Sequence, residues 1–266
     1  MSPPTSSPLH HRRSPLALLR ATARQCVAVL RSRAVGRHLA PATDSPTRGK
    51  PGGARILVAG DSTALDWGAS TPDHGLVGRL AQDFPDAVVD RVARAGARLV
   101  DVARQLRRVE ASLSRGERYD LVLVLAGGND ALRIGGGARL RRDSADVADA
   151  MTALSSHRIW LGPADVSLSP LFIAPFDRWL SRRMCAVVDA IRAASRARGV
   201  AFVDFFAPQA DDVFSKDPKR YYALDLVHPA DDAYAYCYDV VRINCPLERW
   251  LGVDRALARA TFVARG

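Results

Sequence analysis

Residues 120–126 read Asp-Leu-Val-Leu-Val-Leu-Ala and stop at Gly127-Gly128. A strand with one face in water alternates apolar and polar residues, whereas a run that is apolar at every position must be covered on both faces. Such a strand belongs inside a parallel sheet between two layers of helix. The neighbouring sequence has the same grammar. Short apolar runs at 55–59, 87–92, 157–161 and 200–205 alternate with segments of helical periodicity at 76–84, 99–113, 138–154, 177–198 and 231–243. In the helix predicted at 99–113, for instance, Leu99, Val102, Leu106 and Val109 mark one apolar face. Five strands and intervening helices predict an α/β domain with a central five-stranded parallel sheet.

In a sheet of this kind, ligands bind beyond the carboxyl ends of the strands. Four segments qualify: Gly60-Asp61-Ser62-Thr63 after the first strand, Arg94-Ala95-Gly96-Ala97 after the second, Gly127-Gly128-Asn129-Asp130 after the third, and Asp225-Leu226-Val227-His228-Pro229 beyond the fifth. A serine hydroxyl is a weak nucleophile until a base takes its proton. His228 can serve as that base, and Asp225, three residues earlier, can hold its second ring nitrogen from one compact turn. The oxyanion formed on attack needs fixed donors. The Ser62 N–H, the Gly96 N–H and the Asn129 side-chain amide are the candidates.

Of the six histidines, His10, His11 and His38 lie in the N-terminal leader, His157 begins the fourth strand at the opposite end of the sheet, and His74 sits in a turn-like Pro-Asp-His-Gly segment. There is no H-E-x-x-H pattern and no carboxylate cluster, so neither a metal nor a cofactor is expected. Cys26, Cys185, Cys237 and Cys245 form no C-x-x-C pair and read as free or buried thiols.

These blocks, in this order, resemble the SGNH (GDSL) hydrolase superfamily over about residues 54–245. The resemblance implies a flavodoxin-like three-layer α/β/α sandwich. It also implies Ser62, Asp225 and His228 as catalytic triad, and Ser62, Gly96 and Asn129 as oxyanion hole. The second block departs from the family pattern, with Val92-Ala93-Arg94 before Gly96 and Ala97-Arg98 after it. The activity expected is cleavage of small-molecule carboxylic esters or thioesters through an acyl-enzyme on Ser62. Acyl transfer to a sugar or other alcohol, and a non-catalytic binding protein on the same fold, are the alternatives. Gly-x-Ser-x-Gly and Gly-x-Gly-x-x-Gly are both missing after the first strand, which argues against a classical α/β-hydrolase and a dinucleotide enzyme.

The formal net charge of +10 divides unevenly. Residues 1–52 hold eight arginines and one lysine against Asp44, leaving 29 basic and 27 acidic residues in the rest of the chain. A nearly neutral body speaks against a nucleic-acid partner. The sequence therefore divides into a basic Pro/Ser/Arg-rich leader, 1–52, and a catalytic domain, 53–266. In the leader, Leu16, Leu19, Val27 and Leu30 fall near helical spacing among Arg20, Arg24 and Arg31. That pattern suits a disordered arm, a helix packed on the domain, a transit peptide, or an amphipathic helix giving peripheral membrane contact through residues 15–40. The place expected is the cytoplasm, at a membrane surface if that last reading holds. Both the charge division and the motif span put the chemical machinery after residue 52. The loop 162–176 is apolar for a rim segment, with Leu168, Leu171, Phe172, Ile173 and Phe176, and is expected either to fold onto the core or to form an acyl-binding wall.

Overall fold

The computed structural model describes residues 15–36, 49–50, 52–133, 136–207 and 210–252. Five parallel strands form one sheet in the order β2-β1-β3-β4-β5. They are β1 (Arg55–Gly60), β2 (Val88–Ala93), β3 (Leu121–Leu125), β4 (Arg158–Leu161) and β5 (Ala201–Val203). This is the flavodoxin-like order, with its reversal between β1 and β3. The helices are α1 (Pro15–Gly36), α2 (Leu76–Asp83), α3 (Leu99–Ser112), α4 (Gly128–Ala131), α5 (Gly137–Leu154), α6 (Phe176–Arg198), α7 (Val213–Lys216), α8 (Pro218–Tyr221), α9 (Asp231–Asn244) and α10 (Leu247–Trp250).

The continuous apolar runs have the use expected of them. Successive side chains of a strand point to opposite faces. Leu57, Ala59, Val122, Val124 and Trp160 therefore enter one core layer, with α3, α5 and α6. Ile56, Val58, Leu121, Leu123, Leu125 and Ile159 enter the other, with α2 and α9. All five residues of β3 are buried, as a central strand between two helical layers requires. Trp160 is fully buried and its indole N–H donates to the Ala126 carbonyl, so the large ring leaves no polar atom unpaired. Truncating it to alanine would cost about 3–5 kcal/mol.

Local signals set the ends of the helices. Asp101 accepts from the Arg98 N–H at the start of α3, and α6 stops at Gly199 in the left-handed conformation. Charge follows the same economy. Asp66 is buried, held 3.0 Å from the Arg91 guanidinium and accepting from the Val77 N–H. Burial nevertheless pushes its pKa up to about 6, against the pull of Arg91 and of the Leu76 and Val77 amides. His157 lies at the far end of the sheet, stacked on Trp250 at 4.9 Å.

The strands leave the loops that carry Ser62, Gly96 and Asn129 on one rim, as parallel topology demands. The N-terminal segment also reaches this rim. Residues 15–36 form α1, and Gln25 ties it to the loop after β4: its amide donates to the Leu171 carbonyl, and the Ile173 N–H donates to its side-chain oxygen. In the loop after β4, Phe172 packs against the core and also lines the rim cavity.

Candidate active site

Ser62 follows β1 in a tight loop. The Leu65 and Trp67 N–H groups both donate to its carbonyl, and the Thr63 N–H donates to the Asp61 carboxylate. The loop then passes under the Asp225–Pro229 turn at Gly68, whose φ is +95°. A Cβ there would meet the Pro229 carbonyl at 2.3 Å, so only glycine lets the two segments approach this closely. The Tyr234 hydroxyl, from α9, donates to the Trp67 carbonyl and fixes the loop from the other side.

Asp225 and His228 come from one turn, though not a helical one. One Asp225 oxygen accepts from the Val227 and His228 backbone amides, each at 3.0 Å. The other lies 2.5 Å from His228 Nδ1. Leu226, between them, is left-handed at φ +61°, a conformation costing a non-glycine residue about 1–2 kcal/mol. Its carbonyl is held by the Ser169 hydroxyl, which reaches across from the loop after β4. His228 Nε2 lies 2.8 Å from Ser62 Oγ, so a continuous hydrogen-bonded chain runs from Asp225 to the serine. Burial by itself would raise the Asp225 pKa. The His228 ring bond and charge, with the two backbone amides, outweigh it and hold the carboxyl below its ordinary range. An ionised carboxylate fixes the ring so that Nε2 faces the serine as an acceptor.

The three oxyanion candidates converge but differ in what they have left to donate. Among the described residues, the Ser62 and Gly96 N–H groups make no hydrogen bond, and Gly96 stands at φ +72° against open space. Asn129 is otherwise engaged. Its amide nitrogen donates to Asp61 at 3.1 Å and to the Ala97 carbonyl at 3.0 Å, which uses both of its hydrogens. The side chain does not cap its own helix. Asp61 is thus a brace that joins the serine loop to the asparagine. Burial drives its pKa up, partly offset by the Thr63 amide, Thr63 hydroxyl, His228 and Asn129. In the sequence, the position of Asp61 next to Ser62 is the signal for this part.

Ser62, Gly96, Asn129, Asp225 and His228 all line one cavity of about 730 Å³. Its walls are largely apolar, with Trp67, Leu161, Val166, Leu171, Phe172 and Phe205. Trp67 stands 5.4 Å from the His228 ring. Val29, Ser32, Arg33 and Gly36 of α1 line the same cavity. Gln25, Val29, Ser32 and Gly36 recur at intervals of four, three and four residues, one face of a helix. Val29 is the sole large apolar residue of the four, so a search for apolar periodicity passes over this face. His74 does not reach Ser62. It lies with Ser70 and Asp231, its Nδ1 3.0 Å from the Asp231 carboxylate. No group of residues suited to a metal ion occurs among the described residues.

A family model described as GDSL-like Lipase/Acylhydrolase matches residues 58–236. No curated protein matches the chain. Several solved structures share the fold. A lipolytic protein of the G-D-S-L family from Veillonella parvula is 14% identical, with 71% of this chain and 96% of that one covered, at a TM-score of 0.56. TesA is 22% identical, with 74% and 99% covered and a TM-score of 0.56. The psychrotrophic esterase EstA from Pseudoalteromonas is 18% identical, with 74% and 98% covered and a TM-score of 0.52.

Proposed function

The chain belongs to the GDSL-like lipase/acylhydrolase family and is a serine esterase, and we propose that it acts through an acyl-enzyme on Ser62 and prefers esters or thioesters with an extended apolar acyl group. The observation that carries the reading is the Asp225–His228–Ser62 chain, with its 2.8 Å final link, opening into an apolar cavity.

The chemistry follows from the groups. His228 Nε2 accepts the Ser62 proton as Oγ attacks the carbonyl carbon, and the Asp225 carboxylate stabilises the imidazolium that forms. Negative charge then gathers on the former carbonyl oxygen, where the open N–H groups of Ser62 and Gly96 meet it. Asn129 contributes a third donor when one of its hydrogens turns from Asp61 or Ala97 to the oxyanion. His228 returns the proton to the leaving alcohol or thiol, which departs and leaves the acyl group on Oγ. Water, deprotonated by the same nitrogen, attacks that ester and frees the acid and the serine.

The acyl preference rests on the walls. Phe172, Leu171, Val166 and Leu161 offer an apolar surface beside the nucleophile, as pockets for apolar ligands do. The test is mass spectrometry of the protein quenched during turnover of a p-nitrophenyl ester series from acetyl to decanoyl. An adduct of acyl mass on the peptide holding Ser62, absent from Ser62→Ala, is expected. Turnover by a folded Ser62→Ala variant at the wild-type rate would overturn the assignment.

A further inference from the structure

An amphipathic helix on a globular domain ordinarily buries its apolar stripe and shows its polar one. α1 does the reverse. The face it lays on the catalytic rim is Gln25, Val29, Ser32 and Gly36, with Gln25, Ser32 and Gly36 buried. On the opposite side Ala23, Val27, Leu30 and Ala34 recur at the same four-three-four spacing and are exposed, Val27 by 49% and Leu30 by 65%. At 100° per residue these four positions fall within one narrow stripe pointing away from the body. Arg20, Arg24 and Arg31 run along one edge of that stripe, all exposed. The helix contains no acidic residue at all.

Apolar side chains in water with a row of arginines beside them match one kind of surface. A lipid bilayer with anionic headgroups accepts the apolar stripe below the headgroups and the guanidinium groups among them. The arginines also count against a second copy of this chain as the occupant, because two such helices facing each other would bring like charges together. Further exposed apolar residues lie beside α1. Ile173 is 38% exposed on the loop that Gln25 holds, and Leu132, 49% exposed, lines the same cavity as Val29.

We propose that α1 docks the enzyme on anionic membrane surfaces through Ala23, Val27, Leu30 and Ala34, with Arg20, Arg24 and Arg31 binding the headgroups. The helix would lie in the plane of the interface. No helix among the described residues is long and apolar enough to cross a membrane. Because the other face of α1 roofs the cavity, the bilayer is separated from the acyl site by one helix diameter, about 10 Å. Ester substrates dissolved in the membrane then have a short path to Ser62, along the edge marked by Leu132 and Ile173.

The experiment is flotation of the full chain with vesicles of phosphatidylcholine alone or with 30% phosphatidylglycerol. Co-flotation is expected with the anionic vesicles and should fall steeply as salt is raised from about 0.1 to 0.5 M, because salt screens the arginines. Arg20→Gln, Arg24→Gln and Arg31→Gln should each weaken binding roughly five-fold. Val27→Glu with Leu30→Glu should abolish it, while turnover of a soluble acetyl ester stays at the wild-type rate and so reports an intact fold. Failure of the full chain to float with anionic vesicles, or flotation unchanged in the glutamate variant, overturns the proposal. A concentration-dependent dimer that Leu30→Glu dissolves would do the same, by assigning the stripe to a second copy. Turnover of the soluble ester is read separately, so loss of docking and loss of the hydrolytic reading are distinguishable.

Discussion

Gly36, the last residue of α1, packs against Asp225 so closely that a Cβ built on it would lie 2.8 Å from the carboxylate oxygen Oδ2. That same oxygen accepts from His228 Nδ1. A helix from outside the sheet thus abuts the acidic end of the Asp225–His228–Ser62 chain, and the contact brings the last turn of α1 against the candidate site. Gly36→Ala has to push either α1 or the carboxylate aside. Asp225 is held by two backbone amides and the imidazole, so α1 is the part expected to yield. We expect kcat/KM for a long-chain ester to fall several-fold with a smaller loss on an acetyl ester, measured by steady-state kinetics with circular dichroism as the check on folding.

Ser62→Ala and His228→Ala should each remove nearly all ester hydrolysis and leave the melting temperature close to wild type. The two groups act as one unit, so the double variant should lose little more than either single one. A fluorophosphonate probe should label the wild type and fail on Ser62→Ala.

Asn129 and Asp61 make a sharper test. Removing an oxyanion donor typically costs on the order of 10²–10³ in kcat. Asn129→Ala should therefore reduce kcat with little change in KM. Asp61→Asn exchanges an ionisable acceptor for an amide, which weakens the hold on Asn129 Nδ2 while Thr63 N–H can still be accepted. If the brace positions the asparagine, Asp61→Asn should show a kcat loss smaller than that of Asn129→Ala, and the double variant should not add the two losses. Additive effects in that double-mutant cycle would separate them.

Asp130 gives a prediction for stability and pH. It is buried and accepts from the Leu99 N–H at 3.0 Å, and its pKa is pushed up to about 6, chiefly by burial, against the Leu99 amide and Arg98. A raised folded-state value means that the native protein holds this proton after the unfolded chain has released it. The contribution is fully present below about pH 4 and is lost as pH rises through about 6. Asp130→Asn keeps an acceptor for Leu99 but cannot ionise. The stability of the variant relative to wild type should therefore rise by about 2–3 kcal/mol between pH 4 and pH 7. Urea unfolding at several pH values reads this, and a pH-independent difference would count against it.

Phe172→Ala tests the acyl wall. Each methylene buried by the cavity is worth up to about 0.8 kcal/mol. The wild type should gain kcat/KM from acetyl to about eight carbons, and Phe172→Ala should flatten that rise while leaving acetyl-ester turnover near wild type. An enzyme that prefers acetyl esters and ignores Phe172 would mark the cavity as a site for something other than an acyl chain.

The sequence determined the sheet, because what it had to specify was local. Whether a strand is covered on one face or two is written in whether its apolar residues alternate, and 121–125 do not. Once the strands are parallel, chain direction sends Ser62, Gly96 and Asn129 to one rim, and the Asp225–His228 turn leading into α9 falls there too, so the candidate site was legible before any distance was known. Two things were decided only by tertiary structure. Asn129 is recognisable as a donor from its place after β3, yet the partners that take its hydrogens, Asp61 and the Ala97 carbonyl, are 68 and 32 residues away in the chain, and only 3 Å distances identify them. The orientation of α1 was the other. Val27 and Leu30 carry the apolar signal of a face to be buried, but the partners that fix the helix are the 171–173 backbone and Asp225, both remote in sequence. Hydrogen bonding by Gln25 and the close fit of Gly36 turned the polar stripe inward, and no periodicity within residues 15–36 contains that choice.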